Sequence, residues 1–200
     1  MPNWCSNKVT LTHKDPRKIK LAVLAFEDEK FCETFVPLPN GEWNYDFCVS
    51  NWGTKWEVSG EVVEQLPNQA TLYFDSAWAP PVEVYRALCA AGYEVTAYYD
   101  EPGMAFCGTV IGDELDFNDD YHEYAHLDPD EVRDLIGEDL DEEFAITERL
   151  HEWAANRGDL DEDTEENLVE ELEEIVEDHR KNMDIDMEDE RNDKLPPHTD

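Results

Sequence analysis

The sequence His122-Glu123-Tyr124-Ala125-His126 spells H-E-x-x-H. On a helix that spacing sets two imidazoles on one face for zinc, with the glutamate as general base. Here the preceding stretch is DFNDDY and Pro129 follows three residues later, which leaves no room for a long helix. A third ligand would have to be His151 or Glu152. The expectation is a solvated acidic loop and no metal, with a zinc-dependent hydrolase as the remote alternative. Asp159, Asp161, Asp163 and Glu170 fall at positions 1, 3, 5 and 12 of a calcium loop. The glycine needed at position 6 is Thr164, so no calcium site is expected there. No cofactor is implied, and no catalytic constellation emerges.

The acids themselves are the stronger signal. Of 200 residues, 51 are Asp or Glu and 15 are Lys or Arg, for a net charge of −36. Residues 113–200 hold 36 acids against 7 bases; residues 1–112 hold 15 against 8. Such a field repels nucleic acid and anionic membrane and draws basic proteins and cations. Residues 161–178 carry eleven carboxylates. As a helix this would be one charge per about 2.5 Å, near the density of duplex DNA, at about 1.7 Å per charge. Asp161, Asp163, Glu166, Glu170, Glu173, Glu174 and Glu177 are therefore the candidate contacts to a basic host protein, by mimicry of a phosphate backbone. The alternative is a face that only solubilises.

Aromatic residues form the other group. Trp4, Trp52, Trp56 and Trp78, with Asn7, Lys55 and Glu101 as polar neighbours, could line a pocket for a small ligand or a nucleobase. The competing expectation is that these tryptophans build a large aromatic core and that Trp4, Trp52 and Trp78 are buried. Six of the eight bases in residues 1–112 are Lys8, Lys14, Arg17, Lys18, Lys20 and Lys30, which gives a basic first helix. No pattern typical of an RNA-binding plait accompanies them. The five cysteines, at 5, 32, 48, 89 and 107, form no C-x-x-C pair and read as reduced thiols. No secretory leader and no apolar run of membrane-spanning length appear, so the expected location is the cytoplasm.

The elements that position these groups follow from pattern. Alternation predicts strands over 5–13, 70–75, 93–99 and 104–111, with a turn and short strand over 51–58. Asp15-Pro16 starts a helix over 15–28, and Pro80-Pro81 precedes another over 82–91, stopped by Gly92. Residues 35–45, with Pro37, Pro39 and Asn40-Gly41, read as loop. The result is an α+β fold, a ferredoxin-like antiparallel plait with helices on one face over residues 1–112. An acidic helical region follows over 113–182, with helices at 128–136, 142–156 and 164–181. Residues 183–200 read as a disordered tail.

Four motifs stand in order along the first domain: NWCSNKV from Asn3, NWGTKW from Asn51, AWAPP from Ala77 and EPGMAFCG from Glu101. Together they resemble the YubB-like proteins of phages and plasmids, over about residues 1–157. The resemblance implies a ferredoxin-like domain and a mobile-element setting in a bacterial host, and no established reaction. Joined to the charge, it predicts a non-enzymatic accessory protein of the anti-restriction or anti-defence type.

Overall fold

The computed structural model describes residues 3–158. The predicted third acidic helix, the predicted tail and all seven candidate partner-binding acids lie outside the described residues. Two compact units divide the chain, Met1–Leu150 and His151–Asp200.

The first unit is built on a six-stranded antiparallel sheet in the order β2-β3-β1-β4-β5-β6. Strand β1 (Trp4–Thr12) lies between β3 (Gln69–Ala77) and β4 (Glu94–Glu101). The edge strand β2 (Ser59–Leu66) pairs with β3. The run β2-β3-β1-β4, with helices after β1 and after β3, is the ferredoxin-like plait. Strands β5 (Phe106–Gly112) and β6 (Phe117–Glu123) extend it past β4 as a hairpin. The sheet thus continues beyond residue 112, where the sequence set the end of the first domain. Sequence alternation gave no sign of β6, because FNDDYHE carries acids on both faces and interleaves them with its two aromatics.

Helix α1 (Pro16–Glu27) begins where expected. The Asp15 carboxylate accepts the Arg17 N–H at its N-terminus. Helix α4 (Val82–Ala90) follows Pro80-Pro81. Val9, Leu11, Leu72, Phe74, Val95 and Ala97 face these helices, with Ile19, Phe26, Val84 and Leu88 packed above them. Two short helices were not expected, α2 (Phe31–Phe35) and α3 (Tyr45–Asn51). Glu57 sets the first by accepting the Cys32 and Glu33 N–H groups, and Asn44 caps the second through Phe47 N–H. The strand expected within 51–58 forms instead at 59–66, an edge strand largely exposed apart from Val62, which packs against the core.

Past β6, α5 (Pro129–Ile136) carries the reciprocal capping box of Asp128 and Glu131. Where one helix was expected over 142–156 there are two, α6 (Glu138–Phe144) and α7 (Ile146–Gly158), parted at Ala145 with φ 50°. Asp141 causes the break by accepting both the Thr147 N–H and its hydroxyl, which caps α7. Val132, Ile136, Leu140 and Ile146 pack with Cys107 and Tyr98 on the sheet face opposite α1 and α4, so helices cover part of both faces. No described helix is long and apolar enough to cross a membrane.

Candidate functional site

One end of the sheet gathers aromatic rings. Strand β1 enters with Trp4, β3 leaves into Trp78, and the turn after α3 carries Lys55 and Trp56. Tyr45 opens α3, and Trp43 precedes it. The Lys55 ammonium lies 4.5 Å from the Trp56 ring centre, 4.8 Å from that of Trp78 and 5.9 Å from that of Tyr45. Trp4 meets Trp56 at 6.2 Å and Tyr45 meets Trp78 at 6.0 Å, centre to centre. The Trp43 indole N–H donates to the Lys55 carbonyl at 3.2 Å, which ties the lysine's backbone to this cluster.

The expected aromatic core is corrected here. Trp52 is buried, at 2% exposure, and its indole N–H donates to Val36 O at 2.8 Å. Trp4, Trp56 and Trp78 instead stay 49%, 37% and 39% exposed. The physical reason lies in their places in the chain. In β1, Cys5, Asn7, Val9 and Leu11 point into the core, so Trp4 points away from it. Trp78 has a φ of 74°, a region that bulky residues avoid, and its N–H donates to Asn3 O at 2.9 Å. Backbone strain of this kind is found where a side chain must be presented. Sequence reasoning missed Trp43 and Tyr45. Their signal was two aromatics flanking Asn44, a helix-capping residue, at the end of a stretch read as loop.

The polar groups expected near the rings divide. Asn7 is fully buried and bonded within the fold, donating to Cys5 O and Ser76 Oγ and accepting from the Tyr85 hydroxyl. It holds structure and touches no open surface. Glu101 is also fully buried; one carboxylate oxygen accepts the Met104 N–H at 2.5 Å, while Oε1 has no partner among the described residues. Lys55 alone of the three reaches the exposed rings.

The H-E-x-x-H stretch is not helical. His122 and Glu123 end β6, Tyr124 is buried with its hydroxyl donating to Asp100, and His126 lies in the following turn. His122 Nε2 sits 3.3 Å from Asp120. The segment expected as a loop is thus strand and turn, without the helix face on which the H-E-x-x-H motif sets its two imidazoles. The five cysteines are free and buried. Burial pushes the Cys107 thiol up to about 12 and Cys89 to about 11, far from a thiolate at neutral pH. A cleft of ≈ 640 Å³ lined by His13, Lys14, Tyr93 and Glu94 opens at the other end of β1, away from the rings.

Residues 39–148 match the family described as "Ferredoxin-like domain in Api92-like protein". The chain belongs to this Api92-like family. The matched span includes Trp43, Tyr45, Lys55, Trp56 and Trp78, and runs past β6 through α5 and α6. A crystal structure of protein Api92 from Yersinia pseudotuberculosis is 14% identical, with a TM-score of 0.40, covering 62% of this chain and 99% of that one. No curated protein matches the chain. For an Api92-like protein, membership fixes the domain and leaves the chemistry to the residues at the sheet end.

Proposed function

We propose that this Api92-like protein is a non-enzymatic binding module for a basic partner protein. Its acidic surface draws the partner, and the exposed rings around Lys55 anchor it. The observation that carries this reading is the half-exposure of Trp4, Trp56 and Trp78 at one place in a chain of net charge −36. Large rings kept at the surface together mark contact sites, and tryptophan anchors dominate the energy of many interfaces. The negative field raises the local concentration of cationic partners and disfavours nucleic acid. The resemblance to YubB-like proteins supports a mobile-element accessory acting on a DNA-binding defence enzyme in a bacterial cytoplasm. In that setting Asp161, Asp163, Glu166, Glu170, Glu173, Glu174 and Glu177 would stand in for phosphates.

The test uses the full chain and an arginine nonapeptide in titration calorimetry. Affinity should fall steeply as salt rises, because exposed charges are screened over roughly 8–10 Å at physiological ionic strength. A residual affinity should persist at high salt and vanish in Trp56→Ala. Binding that is identical in wild type and Trp56→Ala at every salt concentration would remove the aromatic face from the interface.

A further inference from the structure

We infer that Trp56, Trp78 and Tyr45 form a cage for the guanidinium of a partner's arginine, and that Lys55 is its resident occupant, displaced when the partner binds. The inference rests on the reading of a basic partner given above.

The geometry is that of a cation held by ring faces. All three Lys55–ring distances, 4.5, 4.8 and 5.9 Å, fall within the roughly 6 Å over which a ring quadrupole attracts a cation. The occupant's choice of neighbours is informative. In a chain with 51 acids and 15 bases, carboxylates are abundant. Yet Lys55 makes no salt bridge among the described residues and lies against three rings instead. The rings are therefore already working as a cation site.

A lysine ammonium is a poor permanent tenant. It is compact and strongly hydrated, whereas guanidinium is planar, weakly hydrated and stacks on indole. Each such contact is worth only about 0.5–1 kcal/mol where water still reaches the cation, so a guanidinium that stacks on the same rings can displace Lys55. Its flexible four-carbon stem can swing out while the main chain stays fixed by the Trp43 bond to the Lys55 carbonyl. The Trp78 N–H hydrogen bond to Asn3 O anchors that residue's backbone, and the Tyr45 ring packs against its indole. The opposite reading, in which Lys55 hooks an anionic ligand, makes the reverse prediction for its removal.

The experiment follows the indole N–H signals of Trp56 and Trp78 by NMR in the full chain. N-acetyl-arginine amide and tetramethylammonium chloride are titrated separately, with potassium chloride as the ionic-strength control. Lys55→Met keeps the stem and removes the charge. It should bind arginine amide about two- to fivefold more tightly than wild type, the gain from losing one competing contact. Adding Trp56→Ala to Lys55→Met should abolish the response. Equal or weaker binding by Lys55→Met, or equal shifts with potassium alone, would overturn the cage. Tetramethylammonium binding without arginine binding would overturn its assignment to a protein partner. The basic-partner reading fails separately, if the arginine nonapeptide shows no salt-dependent binding to wild type.

Discussion

The Tyr85 hydroxyl donates to Asn7 Oδ1 at 3.0 Å, joining α4 to the central strand between two fully buried residues. Tyr85→Phe removes the donor and leaves a buried acceptor unsatisfied, at a cost of about 1–3 kcal/mol. Denaturant unfolding should show that loss. Stability within error of wild type would mean that the bond contributes nothing.

Asp100 supplies a pH signature. Burial raises its pKa above the ordinary aspartate value, against the lowering effects of the Tyr124 hydroxyl and of Arg149 at 2.6 Å. The folded form therefore holds the proton more tightly than the unfolded form. Stability should rise as pH falls through the folded value, and the gain should be complete below the unfolded value near 3.8. Asp100→Asn should lack this component when unfolding curves of the two proteins are compared across pH 7 to 4. A wild-type curve that falls relative to the variant over that range would reverse the sign.

Asp15 behaves in the opposite way. Hydrogen bonds from the Arg17 side chain and backbone hold its carboxyl down at about 2, below the unfolded 3.8. Its contribution is present above pH 3.8 and is lost as pH falls through about 2. Carbon-detected NMR titration should place the Asp15 midpoint near 2, and Arg17→Ala should move it up. A midpoint in the ordinary aspartate range would show that the cap is not formed.

Trp78 separates stability from binding. Glycine removes the cost of the left-handed backbone, about 1–2 kcal/mol for an L-residue, but also removes the ring. Trp78→Gly should stay within about 1 kcal/mol of wild type in stability, since the lost packing and the relieved strain offset one another. Its peptide affinity should fall. Unimpaired peptide binding by this variant would exclude Trp78 from the interface.

Much of the plait is legible in the sequence, and the reasons for the gaps are physical. β1, β3 and β4 alternate because one face meets the main core, and α1 and α4 announce themselves through Asp15-Pro16 and Pro80-Pro81. β2 and β6 are edge strands whose side chains are largely exposed, so pairing decides them and composition does not. At the site, Trp4, Lys55, Trp56 and Trp78 stood out as motif residues, but a tryptophan's type does not say whether it is buried. The alternation of β1 did carry that information, since Cys5 and Trp4 cannot both face the core. Trp43 and Tyr45 were hidden by the Pro- and Gly-rich stretch before them.

Charge reversal addresses the acidic half. Changing Glu166, Glu170, Glu173 and Glu177 together to lysine should sharply weaken low-salt peptide binding. Any one change alone should have a small effect, because single surface pairs contribute only about 0–1 kcal/mol. Light scattering on the same variant checks the solubilising alternative. Aggregation with binding retained would favour it.

The most direct test compares arginine and lysine nonapeptides of equal charge against the full chain at about 0.3 M salt, where screening confines electrostatics to roughly 5–6 Å. If the rings around Lys55 anchor a basic partner, the arginine peptide binds more tightly, and Trp56→Ala erases the difference. Equal affinities for the two peptides, unchanged by Trp56→Ala, would contradict the account.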